Sequence, residues 1–270
     1  MSYRMIVLDL DGTLTNSQKV ITPRTRRALM EAQERGVHVV LASGRPTYGV
    51  MPLARQLYLP EYGGFILSYN GGDIIRCKTK ELMFHKGIPV ESNQTIIHLA
   101  LELGLDILTY EGDSVITNNK TCTYALKEAA INRLPLLEKP DFEQYVSFPV
   151  TKYIMVGDGE KLAQLEPLVR ERLGEEYSVY RSEPFFLEIM AQGIDKAQSL
   201  ARLLDRTGIT REEMMACGDG YNDLSMIRYA GWGVAMANAM EEVKEAADYI
   251  TLSNDEDGVG MAIEKFILQQ

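Results

Sequence analysis

Apolar residues run along this chain in two rhythms. Near the start, Met5 to Leu8 is an unbroken apolar run, the pattern of a parallel strand covered on both faces. Thr22-Pro23 then reads as an N-cap with proline at the first helical position. The spacing predicts a helix running to Gly36, a natural C′ residue. The β-rich stretch 37–43 ends in Ser43-Gly44-Arg45-Pro46, which opens another helix. Residues 65–72, "FILSYNGG", predict a third strand stopped by a turn. Strand, helix, strand, helix, strand at these lengths means βαβ units in a doubly wound parallel sheet.

From about residue 85 the rhythm changes. An amphipathic helix is predicted over 91–104, ended by Gly104, and a hairpin over 106–119 around Glu111-Gly112-Asp113. A strand (151–156), a helix (160–173) and two β-rich segments (177–181 and 185–190) follow. The first rhythm then resumes: helix 196–207, strand 214–217, helix 222–229, strand 232–236, helix 240–247, strand 248–252 and a last helix from about 257. The expected fold class is α/β. Residues 1–84 and 187–270 form a Rossmann-like, doubly wound parallel-sheet core, and 85–186 form an inserted α+β domain.

Composition narrows the partners. A formal charge of −10 argues against nucleic acid or an anionic membrane, although a metal or a lysine can reverse the sign locally. No apolar run approaches the roughly 18 residues of a membrane span, and "MSYRM" lacks a signal-peptide apolar core. Three cysteines without CxxC spacing fit a reduced, cytoplasmic setting rather than a disulfide or zinc framework.

In a doubly wound sheet, ligands bind beyond the carboxyl ends of the strands. The first strand ends in Asp9-Leu10-Asp11, the second in Ser43-Gly44-Arg45, and strand 214–217 in "GDGYND", which carries Asp219, Asn222 and Asp223. Lys196 opens the helix with which the α/β rhythm returns, behind an N-cap Asp195 and a glutamine three residues on. Any one of these is an ordinary cap or turn, but together they describe one site.

Each residue type has a use in phosphoryl transfer. Asp9 is ionised at neutral pH and can attack phosphorus without a base. Its obstacle is repulsion, about 4 kcal/mol per charge pair at about 4 Å and an effective dielectric of 20. A hard divalent cation, with Mg²⁺ the natural choice, removes it, and Asp9 and Asp219 supply oxygen ligands. Lys196 adds positive charge, while Ser43 and the helix start behind it add neutral donors. Asp11 suits proton transfer, and the expectation is that it is the carboxyl kept protonated. Gly12 permits the immediate turn, and Thr13 can bond back to it.

"DLDGTL", "LASGR", "GIDKAQSL" and "GDGYND" resemble the four ordered motifs of the haloacid dehalogenase superfamily of phosphotransferases. The insertion between the second and third motifs resembles the Cof-like branch with its type IIB cap, and "SYNGG" is similar to a segment that usually follows the third core strand there. The resemblance covers essentially the whole chain. It implies a Mg²⁺-dependent phosphatase of sugar phosphates and similar small metabolites, working through an aspartyl-phosphate as a monomer or weak homodimer. By matching position it makes Asp9 nucleophile and metal ligand, and Asp11 general acid/base that also gives its backbone carbonyl to the metal. Ser43, Gly44, Lys196 and Asn222 become the phosphate-binding set, Asp219 a metal ligand, and Asp223 a support of the metal shell. Ala197 stands where many relatives have glycine. A phosphomutase of the same superfamily and a binding module on a retired catalytic fold are the alternatives.

Overall fold

The structure is a computed structural model that describes residues 3–269. The chain divides into two units: one holds the residues up to His85 and from Asp195 onward, the other Lys86–Ile194. Strands follow in chain order. The first unit contributes β1 (Met5–Leu8), β2 (His38–Ala42), β3 (Phe65–Ser68), β4 (Asp73–Arg76) and β5 (Glu81–His85). The second holds β6 (Asp106–Glu111), β7 (Ser114–Thr117), β8 (Leu136–Glu138), β9 (Lys152–Val156), β10 (Tyr177–Glu183) and β11 (Phe186–Ala191). Back in the first unit are β12 (Met214–Gly218), β13 (Trp232–Ala235) and β14 (Tyr249–Ile250).

The first unit is one sheet in the order β14-β13-β12-β1-β2-β3-β4-β5. Pairing is parallel from β14 through β3, and the β4–β5 hairpin adds two antiparallel strands at one edge. That hairpin departs from the sequence-based expectation. Its strands "DIIR" and "ELMFH" are short and half-exposed, and neither Gly, Pro nor Asn marks the turn between them. All four β1 side chains are completely buried, as a central strand covered on both faces requires. Because β1 lies between β12 and β2, strand order reverses there and leaves a crevice at their carboxyl ends. The helices run as their caps dictate: Thr22 accepts from the Thr25 amide to start Pro23–Glu34, and Gly36, with φ +86°, lies just beyond its end.

The second unit is a six-stranded sheet, β10-β11-β9-β6-β7-β8, antiparallel except for β7–β8. Alternation along β9 serves two cores. Tyr153 and Met155 pack with helices Asn93–Glu102 and Gly159–Leu173, whereas Ile154 and Val156 pack with helix Thr123–Asn132. The boundary expected at 186/187 lies at 194/195, because β11 pairs with β10 from Phe186 to Ala191 and with β9 from Phe186 to Met190. Among the described residues, no helix is long and apolar enough to cross a membrane.

Candidate active site

The site lies wholly within the first unit. β1 ends at Leu8, and the Asp9 amide continues its ladder by donating to the Cys217 carbonyl of β12, so Asp9 sits at the strand crevice. Helix Lys196–Thr207 starts behind Asp195, whose carboxylate accepts from the Gln198 amide. Lys196 is therefore the first residue of the helix and is fully buried. Its ammonium spends its three hydrogens on Oδ1 of Asp9 (2.7 Å), Oδ1 of Asp223 (2.5 Å) and the Ala42 carbonyl (2.9 Å). Burial alone would push the ammonium's pKa down. The carboxylates of Asp223 and Asp9 outweigh it and hold the group protonated, above its ordinary range.

The "GDGYND" loop is folded by its own acid. Oδ2 of Asp223 accepts from the amides of Asp219 (3.0 Å) and Gly220 (2.9 Å), turning Tyr221–Asp223 into a tight helical turn. Asp219 is fixed from the first motif: Thr13 Oγ1 donates to its Oδ1 at 2.6 Å, rather than bonding back to its own turn. Gly12 has φ +83°, and a Cβ built on it would collide with Oδ2 of Asp219, so only glycine fits here. Asn238 Nδ2 donates to the Gly12 carbonyl at 2.8 Å and steadies the same turn.

Asp9, Asp219 and Asp223 present carboxylate oxygens all within 4.8 Å of one another. Three carboxylates against one ammonium leave two negative charges in surplus within this cluster. The strain shows in the acids. Burial first, then the Asp223 charge, raises the Asp9 pKa well above the carboxylate range, and burial with Asp223 pushes Asp219 up to about 6. Among the described residues, side-chain hydrogen bonds reach only Oδ1 of Asp9 and Oδ1 of Asp219. An all-oxygen donor set with surplus negative charge fits a hard divalent cation.

Asp11 faces other company. β1 has already ended, so strand alternation does not carry its carboxylate into the cluster with Asp9. Arg45 grips it with two bonds of 2.6 and 2.7 Å, and Lys19 adds a third of 2.6 Å. Burial raises its pKa, but Arg45 and Lys19 overcome that and hold it below the ordinary range. The two carboxyls are thus pushed apart, Asp9 upward by burial and its acid neighbours and Asp11 downward by Arg45 and Lys19. Its carboxylate also lies outside the three-acid cluster.

Ser43 is buried at the end of β2, with Oγ accepting from the Arg45 amide at 3.1 Å, and Gly44 follows it. Asn222 is exposed, and its amide donates to Oδ1 of Asn70 at 3.1 Å. The structure thus gathers Asp9, Ser43, Lys196, Asp219 and Asp223 at the strand tips and adds groups that sequence reasoning missed. Those are Arg45 and Lys19 on Asp11, Asn238 on the Gly12 turn, and Asn70 beside Gly44 and Asn222. Of these, Arg45 carried a signal in "SGR" directly after a strand and Asn70 in "SYNGG" after the next.

A Rossmann-like sheet with an acid-and-lysine site at its switch point defines a phosphoryl-transfer hydrolase, and the comparisons with known proteins identify the kind. Residues 6–263 match the sequence profile of the haloacid dehalogenase-like hydrolases. The 5-amino-6-(5-phospho-D-ribitylamino)uracil phosphatase YcsE of Bacillus subtilis is 33% identical over 268 residues, covering 99% of this chain and 97% of the relative. A solved haloacid dehalogenase-like hydrolase from Bacteroides thetaiotaomicron is 54% identical, with a TM-score of 0.95 over 98% of this chain and 99% of that one. The subclass IIB sugar phosphatase BT4131 is 26% identical, with a TM-score of 0.78 over 97% of this chain and 98% of the other. The chain belongs to the haloacid dehalogenase-like hydrolases and is a phosphoric monoester hydrolase of that superfamily.

Proposed function

We propose that this enzyme is a Mg²⁺-dependent phosphatase of small phosphorylated metabolites, sugar phosphates foremost, and that it works through an aspartyl-phosphate. The observation that carries the reading is Asp9: a buried carboxylate at a strand tip, held on one oxygen by Lys196 and crowded by Asp219 and Asp223. Oδ2 of Asp9 attacks phosphorus in line with the leaving alcohol. Lys196 keeps Asp9 oriented and lends its positive charge to the phosphate, whose oxygens Ser43, Gly44 and Asn222 hold. Asp11 protonates the departing alkoxide and then takes a proton from the water that hydrolyses the acyl phosphate. For that role Arg45 and Lys19 must release Asp11 as the anionic substrate draws them away. Asp9, Asp219 and Asp223, with the Asp11 main chain, would hold Mg²⁺, which would supply charge neutralisation for the reacting phosphate.

Sugar phosphates are supported by the names of two relatives, a sugar phosphatase and a phosphatase acting on a phosphorylated ribityl chain. We assign selection of the organic part to the inserted Lys86–Ile194 unit, as the resemblance to the Cof-like branch implies. A reduced cytoplasm suits the three free cysteines. The deciding experiment is a phosphate-release screen over phosphorylated sugars, nucleotides and cofactors, with Mg²⁺ and with chelator. Release that needs Mg²⁺ and vanishes in Asp9→Asn supports the reading. Wild-type release from Asp9→Asn ends it, and isomerised sugar phosphate in place of free phosphate replaces it with a mutase.

A further inference from the structure

Three consecutive residues after β3 hold left-handed backbone: Tyr69 (φ +52°), Asn70 (φ +55°) and Gly71 (φ +99°). Asparagine and glycine tolerate that region, but a bulky tyrosine rarely enters it, and such conformations persist only where surroundings enforce them. Here the enforcement comes from the site. The Tyr69 amide donates to the Arg45 carbonyl at 3.0 Å and the Asn70 amide to the Ser43 carbonyl at 2.8 Å. Ser199, on the helix that begins with Lys196, donates to the Gly71 carbonyl at 2.7 Å. Any Cβ on Gly71 would lie 2.6 Å from Ser199 Oγ.

What the turn presents is one carboxamide. Oδ1 of Asn70 accepts from Asn222 at 3.1 Å, and both of its terminal atoms stand 3.3 Å from where a Cβ of Gly44 would be. Asn222 is exposed at the end of the "GDGYND" loop, and Gly44 follows Ser43, so one side chain abuts two phosphate-binding elements that are distant in sequence.

We propose that Asn70 is a positioning residue of the phosphate site: it aims the Asn222 amide and sets the Ser43-Gly44 turn for an incoming phosphate. The proposal rests on the phosphatase reading for Asn222 and Ser43. It adds that the strained turn exists to deliver this carboxamide.

The test uses Asn70→Gly, because glycine keeps the left-handed backbone while removing the carboxamide. Inorganic phosphate is the probe, titrated by calorimetry into wild type, Asn70→Gly, Asn222→Ala and the double variant in the presence of Mg²⁺. Hydrolysis of p-nitrophenyl phosphate is followed in parallel. Asn70→Gly is expected to weaken phosphate binding and raise KM by about tenfold, with kcat within about twofold, as for loss of one well-placed hydrogen bond. The double variant should lose less than the product of the two single losses, because part of what Asn70 does passes through Asn222. Equal phosphate affinity in wild type and Asn70→Gly overturns the proposal, as do losses that multiply in the double variant. A wild type that binds phosphate yet hydrolyses no ester refutes the phosphatase reading instead, while the binding comparison still decides the role of Asn70.

Discussion

Replacing Lys196 by methionine keeps the length and bulk of the side chain and removes the one ammonium among three acids. At 2.7 and 2.5 Å from Asp9 and Asp223, each charge pair is worth about 6–7 kcal/mol of gross attraction at an effective dielectric of about 20. Most of that is offset by desolvation, since the lysine side chain is wholly buried and those of Asp9 and Asp223 nearly so. Deleting one partner of such a buried pair costs about 3–5 kcal/mol net, because the remaining charge is stranded. For a chain of this size, that is roughly a 10 °C drop in Tm at neutral pH. The deficit must depend on pH with a definite sign. A carboxyl whose folded pKa lies above its unfolded value is unpenalised below the unfolded pKa, and it loses stability as pH rises towards the folded one. Asp9 is already raised, and removing Lys196 raises it further. Lys196→Met should therefore melt close to wild type near pH 4 and fall progressively behind towards pH 8. Calorimetric or circular-dichroism melts in chelator over that range measure it. A deficit below about 1 kcal/mol at pH 8, or one that does not change with pH, would mean that Lys196 does not balance the acids.

Three further outcomes follow from the same geometry. Asp9→Asn should abolish phosphate release yet raise the Tm of the metal-free protein, because one surplus buried charge is gone; melts and turnover on the same preparation check both halves. Gly12→Ala should cost at least tenfold in Mg²⁺ affinity by calorimetry, since its backbone is left-handed and its Cβ collides with the Asp219 carboxylate. Thermal stabilisation by Mg²⁺ should be large at pH 8 and shrink as pH falls through about 6, where Asp219 takes up a proton and competes with the cation; equal shifts at pH 5 and pH 8 would contradict it.

The chemistry of this site is legible in the sequence where each functional residue is bound to a local backbone event. Asp9 ends a strand, Lys196 opens a helix behind its cap, and Asp223 closes a turn onto its own loop, so short stretches carry the signal. What is not legible is side-chain pairing across the fold. Arg45 reaches Asp11 over 34 residues and holds its carboxyl below the ordinary range. Thr13 likewise bypasses its own turn for Asp219. The unit boundary is hidden in the sequence for a different reason. β11 is buried along its entire length and reads like a strand of the parallel core, and only its pairing with β9 and β10 reveals its sheet.

The discontinuous first unit also has a history on the ribosome. Lys196 stands 187 residues after Asp9, its buried partner, and β12, the neighbour of β1, comes later still. At roughly 5–20 residues per second of synthesis, Asp9 waits about 10–40 s for its counter-charge, with one flank of β1 unpaired. The Lys86–Ile194 unit is continuous in sequence and has its strands complete within that interval. Nascent chains whose emerged part ends between residues 194 and 214 should therefore hold a finished inserted unit and an open half-sheet, and it is there that a chaperone would find something to hold.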